Sequence, residues 1–287
     1  MQQCLSPFLK WPGGKRWLVR KYSEYIYCDY SHYYEPFLGS GAVFFALCPK
    51  DATLSDINEE LINLFRVMRD DYPALLDVLT IHHLSHSKEY YYRIRDMRNL
   101  DSIQAAGRTL YLNRTCYNGM YRINKKGEFN VPIGTKNNCL FDIERFADYS
   151  KRLSTVTLES CDFAQTIMKA SEGDFIFADP PYATSEKQAG FLKYNETLFS
   201  WKDQERLHIS LCEAKARGVN IVATNTNHDL LRKLYEESGF YVRILERYSA
   251  IASKTEKRCI KKELLITTNH YHNRSREGIN NDEDCDS

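Results

Sequence analysis

Short apolar runs the length of strands recur along this chain, and stretches of helical period fall between most of them. The clearest run is Phe175-Ile176-Phe177-Ala178, four apolar positions in succession, which is the pattern of a strand covered on both faces. Further strands are predicted over residues 33–37, 52–54, 155–159, 220–224, 241–245 and 263–267. Residues 42–47 and the periodic stretch 57–68 read as helices, and the segment carrying His82, His83 and His86 reads as a polar surface helix. Strands alternating with helices predict an α/β fold.

A carboxylate follows the clearest strand. In Asp179-Pro180-Pro181-Tyr182 the acid stands where α/β sheets bind ligands, outside the carboxyl end of a strand. Two prolines donate no N–H and hold the backbone extended, which leaves carbonyl oxygens free to accept, while Tyr182 offers an aromatic face. That combination suits an amino group on a flat ring. The lone pair of an exocyclic amine is delocalised into its base, so methylation requires acceptors that draw the nitrogen toward tetrahedral geometry. An Asp-Pro-Pro turn closing a core strand is the alternative reading of the tetrapeptide alone.

A second site is suggested by Glu35-Pro36-Phe37-Leu38-Gly39-Ser40-Gly41, a strand, a Gly-x-Gly turn and the start of a helix. The glycines permit close backbone approach to a ligand, but neither a dinucleotide fingerprint nor a Gly-Lys-Ser/Thr phosphate loop is present. Asp56, after the strand at 52–54, is placed to hold ribose hydroxyls or to cap the following helix. Near the amino end, Phe8-Leu9-Lys10-Trp11-Pro12-Gly13-Gly14-Lys15 packs two cations, a tryptophan and a turn into eight residues, which suits a functional segment better than a solvated leader.

Composition narrows the class. With 287 residues, 43% of them hydrophobic, the chain can bury a substantial core, and one α/β domain with an insert is more economical than two unrelated domains. No apolar stretch approaches a membrane span and the amino end lacks a signal-peptide core, so a soluble cytoplasmic protein is expected. The nine cysteines, Cys4 through Cys285, form no Cys-x-x-Cys pair and the eight histidines no His-Glu-x-x-His site, so neither a metal nor a catalytic thiol is expected. Net charge is only +1, yet Arg108, Arg114, Arg122, Lys125, Lys126 and Lys136 stand in one segment against Glu128 alone. Such a patch attracts phosphates, and the interleaved Tyr111, Tyr117, Tyr121 and Phe129 add stacking surfaces. Asn124-Lys125-Lys126-Gly127 reads as the turn of a hairpin able to enter a groove.

The four motifs Lys10-Trp11-Pro12-Gly13-Gly14-Lys15, Glu35-Pro36-Phe37-Leu38-Gly39-Ser40-Gly41, Ser55-Asp56-Ile57-Asn58 and Asp179-Pro180-Pro181-Tyr182 occur in that order. In this the chain resembles the Dam family of DNA adenine N6-methylases, in the motif order of the alpha class, also called D12. The resemblance runs from Phe8 to about Thr268 and takes in Leu110-Tyr111-Leu112-Asn113-Arg114, Tyr117-Asn118-Gly119-Met120-Tyr121-Arg122 and Gly127-Glu128-Phe129-Asn130-Val131-Pro132. It implies a Rossmann-like S-adenosylmethionine-dependent methyltransferase sheet ending in a reversed hairpin, with a helical and β-hairpin DNA-recognition insert. The catalytic domain would be residues 1–56 and 141–270, the insert 57–140, and 271–287 a disordered tail.

By the same resemblance, Asp179, Pro180 and Tyr182 would hold a flipped adenine. Trp11, Lys15, Phe37, Gly39, Gly41, Asp56, Asp162, Phe163 and Asp179 would bind S-adenosylmethionine; Asp162 and Phe163 read equally as a helix cap and a core residue. Tyr117 and Asn118 would intercalate, Met120, Arg122 and Pro132 would touch base edges, Lys10 would read a guanine, and Arg114 would belong to the DNA-contacting set. Met120 departs from the family's usual Leu, a volume-conserving change. The implied site is GATC in double-stranded DNA, with no obligate protein partner. Residues 249–262, rich in Ser, Lys and Arg, read either as a loop that orders on DNA or as an ordinary polar loop. Two alternatives stay open: a methyltransferase acting on another amine, and a sequence-specific DNA-binding module without catalysis.

Overall fold

A computed structural model describes residues 5–26, 28–124, 128–182, 199–248 and 260–269. The lysines at 125 and 126, most of the 249–262 segment and the tail from 271 lie outside the described residues.

Seven strands form one sheet: β1 (Tyr33–Glu35), β2 (Ala52–Asp56), β3 (Val156–Ser160), β4 (Phe175–Ala178), β5 (Asn220–Thr226), β6 (Tyr241–Tyr248) and β7 (Ile260–Thr267). Every strand expected from the apolar pattern is present, β4 with the expected ends and the others with ends shifted by at most three residues. Spatial order is β3-β2-β1-β4-β5-β7-β6. The first five run parallel, and β7 enters antiparallel between β5 and β6. Chain order therefore reverses direction between β1 and β4, and the crevice outside the carboxyl ends of those two strands is where such sheets bind ligands.

Both faces of the sheet are covered, which explains the unbroken apolar run of β4. Phe175 and Phe177 point into one core with Tyr33, Phe44, Phe45, Leu54, Phe65, Tyr149, Val222 and Leu265, whereas Ile176 and Ala178 point into the other with Tyr34, Leu207, Leu211, Ile221, Ala223, Leu264 and Ile266. Burying a large apolar side chain fully contributes about 1.5–3 kcal/mol, so β4 is anchored from both sides and the position of Asp179 is set by it.

The helices in chain order are α1 (Arg16–Lys21), α2 (Ala42–Leu47), α3 (Glu59–Asp70), α4 (Tyr72–Leu84), α5 (Lys88–Asp96), α6 (Ser102–Thr115), α7 (Phe146–Leu153), α8 (Phe163–Met168), α9 (Trp201–Ala216) and α10 (Asp229–Glu237). The N-cap of α3 is Asn58, which accepts from Leu61 N, and this leaves the Asp56 carboxylate for other partners. Five of the helices, α3 to α7, lie between β2 and β3 in the chain. The segment through His82 is not one surface helix. Ser87 caps α5 by accepting from Tyr90 N, which breaks the run after α4. His82 turns inward against the Tyr90 hydroxyl (2.7 Å), and burial lowers its pKa to about 4, so it is a neutral core histidine. Among the described residues no helix is long and apolar enough to cross a membrane.

Candidate active site

Asp179 is the first residue after β4, and its Oδ1 receives two partners. The Lys15 ammonium lies 2.8 Å away, and the Thr224 hydroxyl of neighbouring β5 donates at 2.7 Å. Among the described residues nothing hydrogen-bonds Oδ2 or the Pro180 carbonyl, so both acceptors remain unused among them. Desolvation raises the Asp179 pKa above the usual carboxylate range, and Lys15 is the chief influence pulling it back.

Lys15 is buried at the N-terminus of α1, placed by the Pro-Gly-Gly turn. Its ammonium donates to the Gly13 carbonyl (3.0 Å), pairs with Asp179, and lies 3.6 Å from Glu263 Oε2 and 4.6 Å from the centre of the Tyr182 ring. The Tyr182 hydroxyl donates to the same Glu263 oxygen at 2.7 Å. Burial first, then the carboxylates of Asp179 and Glu263, hold the Tyr182 phenol well above the usual tyrosine range, so it stays a neutral donor. Arg247 of β6 binds the other Glu263 oxygen. Sequence reading missed Glu263, Arg247 and Thr224. The available signal was Glu263 itself, an acid opening an otherwise apolar stretch of strand, Leu264-Leu265-Ile266.

Beside this cluster, the turn after β1 forms a cradle. Gly39 (φ +49°) donates to Asp56 Oδ2 at 3.1 Å, and a Cβ there would lie 2.9 Å from Trp11 Cδ1. Gly41 is likewise left-handed (φ +69°) where α2 begins. Asp56 Oδ1 accepts from Asn58 N at 3.0 Å, and burial raises its pKa despite those bonds. Trp11 stacks on Tyr121 at 4.5 Å between ring centres. Phe37 stacks on Phe163 (5.3 Å), and Phe199 closes on both. Asp162 does cap α8, accepting from Ala164 N, and also pairs with Arg206 at 2.9 Å; Phe163 is a core residue. Beneath the turn, Glu35 is buried and accepts from the Tyr33 hydroxyl at 2.8 Å; burial pushes its pKa up to about 8.

The residues expected at DNA converge, with one exception. Asn113 of α6 bonds both backbone groups of Lys10, at 3.1 and 2.7 Å, and the Lys10 stem packs on Gly119 so closely that a Cβ there would meet Lys10 Cδ at 2.5 Å. Tyr117 N donates to the Pro132 carbonyl (2.9 Å), while Asn118 (φ +57°) turns the chain outward. Tyr117 is 54% exposed and Met120 36%. Ile123 and Phe129 bridge antiparallel, so the hairpin pairing is real, and Arg122 leaves it with Nε held by Asn130 Oδ1 at 2.8 Å. Arg114 is the exception. Its Nη1 donates inward to the Cys139 carbonyl at 2.6 Å and its plane covers Phe146, because it sits on the buried side of α6. Arg108, counted in the basic segment, is also buried, on the carbonyls of Ile94 and Arg95 and on Glu60.

A sheet of this order, with an acid at its switch point, defines the Rossmann-like methyltransferase class. Within that class, the chain belongs to the D12 class N6 adenine-specific DNA methyltransferases, whose family model matches residues 11–251. It is 35% identical over 272 residues to the type II methyltransferase M1.LlaDCHI of Lactococcus lactis subsp. cremoris, covering 92% of this chain and 95% of that one. It is also 35% identical to the type II methyltransferase M.MjaIII of Methanocaldococcus jannaschii, with 88% and 95% covered, and 32% identical to a DNA adenine methylase of Serratia marcescens, with 82% and 88% covered. The protein is an enzyme, a DNA adenine N6-methyltransferase.

Proposed function

We propose that the protein transfers a methyl group from S-adenosylmethionine to the N6 of an adenine flipped out of double-stranded DNA, at GATC. The observation that carries the reading is the pair of acceptors left unused among the described residues, Asp179 Oδ2 and the Pro180 carbonyl, at the switch point of the sheet in the motif that carries Tyr182.

The neighbouring cradle fits the methyl donor by its donor set. Asp56 would accept from ribose hydroxyls, the Phe37 and Phe163 rings offer apolar faces to an adenine, and the missing Cβ at Gly39 lets the Trp11 ring close against the turn. When bound, S-adenosylmethionine supplies an electrophilic methyl on a sulfonium. Trp11, Gly41 and Asp162 would border it, and Lys15 would hold Asp179 toward it.

The chain's own residues act on the amine. Asp179 Oδ2 and the Pro180 carbonyl accept its two N–H bonds, which localises the nitrogen lone pair and aims it. Lys15 and Thr224, both on Oδ1, keep the carboxylate ionised and fix its plane. Tyr182 covers one face of the base and excludes water. An amine paired inside the stack cannot reach these groups, so the base must leave the duplex, at a cost of a few kcal/mol. Tyr117 and Asn118, on an outward turn, would fill the gap; Arg122, Met120, Pro132 and Lys10 would face base edges. Burial and the neighbouring Lys136 ammonium push Lys10 below the usual lysine range, a repulsion that a phosphate backbone nearby would relieve.

The test is methyl incorporation from labelled S-adenosylmethionine into two duplexes, one with a single GATC and one with that site scrambled, with the modified base located by digestion and mass spectrometry. N6-methyladenine in the GATC duplex alone is expected. Methylation of both duplexes would refute the sequence preference. Absence of incorporation despite tight DNA binding would refute the catalytic assignment.

A further inference from the structure

We infer that Glu263 is a positioning residue for methyl transfer, acting through Tyr182 and Lys15 and held in turn by Arg247. The inference rests on the reading that Asp179 and Tyr182 receive the target adenine.

Glu263 lies in the antiparallel strand β7, between Lys262 and the core residues Leu264 and Leu265, and is 3% exposed. Packing alone does not call for a carboxylate there. An apolar side chain would satisfy an interior strand without desolvating a charge, and buried ion pairs are no better for stability than apolar packing. The acid is instead engaged by groups from three distant parts of the chain. Its Oε2 takes the Tyr182 hydroxyl and faces the Lys15 ammonium, and its Oε1 takes Arg247, a diagonal neighbour across the β6–β7 pair that also lies over the Trp17 ring.

This geometry fixes two things that the reaction needs. The Tyr182 ring is tethered at its hydroxyl end, so the face it presents to a base has one orientation rather than the range its side-chain torsions allow. The Lys15 ammonium is confined among Gly13 O, Asp179 Oδ1 and Glu263 Oε2, which keeps it on one oxygen of Asp179 and off the other. Two cations, Lys15 and Arg247, face two anions, Asp179 and Glu263, so the cluster is neutral while the Asp179 charge stays available. Loss of Glu263 would remove one restraint from both Tyr182 and Lys15 at once.

Single-turnover methyl transfer is the assay, on Glu263→Gln, Tyr182→Phe and the double variant. Glu263→Gln is expected to slow transfer on the order of tenfold to a hundredfold, the range for a hydrogen bond to a charged group, with DNA affinity unchanged. Its effect should be distinctly smaller in the Tyr182→Phe background, because one of the two groups it orients is already released. A wild-type rate for Glu263→Gln, or equal slowing in both backgrounds, would overturn the inference and leave Glu263 a structural residue. If Tyr182→Phe alone left the rate unchanged, the hydroxyl tether would be dispensable and the inference would be overturned, whereas a wild-type rate in Tyr182→Ala would remove the ring from the base and sink the reading on which the inference rests. Should Glu263→Gln not fold, Arg247→Gln substitutes for it, with the same non-additivity expected and additivity refuting.

Discussion

Replacing Lys15 by methionine removes the cation on which the ionisation of Asp179 depends and keeps the length of the side chain. At 2.8 Å, with an effective dielectric constant of about 20, the gross attraction between the two charges is about 6 kcal/mol. Asp179 retains 17% exposure, so water and relaxation recover much of that, and a nearby cation typically shifts a carboxylate by about 1–3 pH units. Burial already raises the Asp179 pKa, with Lys15 as the main opposing influence. Without Lys15 the carboxylate must therefore protonate at higher pH, and protonation removes an acceptor from the amine. The expected outcome is an acid limb of the single-turnover rate displaced upward by about 1–3 pH units, measured at saturating S-adenosylmethionine. An acid limb that stays in place, with only the KM for S-adenosylmethionine raised, would refute this account and make Lys15 a cofactor ligand alone.

Further outcomes follow from other parts of the site. Asp179→Ala should abolish transfer and retain DNA binding in a mobility-shift assay, since Asp179 is an acceptor for the amine and not a phosphate contact; turnover at the wild-type rate would contradict it. Arg122→Ala should lose about 1–3 kcal/mol of discrimination between GATC and single-base variants if it contacts a base, and equal loss on every sequence would make it a phosphate contact. Gly39→Ala places a methyl 2.9 Å from the Trp11 ring at φ +49°, so S-adenosylmethionine binding measured by calorimetry should weaken, and unchanged binding would remove the turn from the cofactor site. Glu35 is raised to about 8 when folded, against about 4.5 unfolded, so the folded state binds the extra proton between those values and its stabilising effect is lost as pH rises from about 4.5 through 8. Glu35→Gln should accordingly flatten the fall in urea midpoint between pH 5.5 and 8.5, and parallel curves would show that Glu35 does not carry it.

Local pattern was enough for the sheet because both of its faces are buried. Phe175-Ile176-Phe177-Ala178 has no polar position to confuse its period, and the acid after it marks the carboxyl end. The break between α4 and α5 was hidden, since Ser87 caps a helix inside a stretch whose polar residues look like one exposed face. Arg114 and Arg108 look like any cation in a basic segment, and only the packing of α6 against its neighbours shows that their charges turn toward buried carbonyls. Glu263 escaped for a different reason. It meets Lys15 and Tyr182 only once β7 has been threaded between β5 and β6, a relation that no window of sequence contains.

That threading has a consequence for biosynthesis. The strand bearing Glu263 is the last described strand in the chain, yet it lies inside the sheet and not at its edge. A growing polypeptide can pair β1 with β2 and β4 early, but β5 keeps an open side until β7 arrives, and Lys15 meets its second carboxylate only then. Chains released early would be left with an unpaired strand edge and a slack catalytic cluster. An open edge of that kind invites pairing with another chain, so insertion of β7 both closes the sheet and completes the cluster around Lys15.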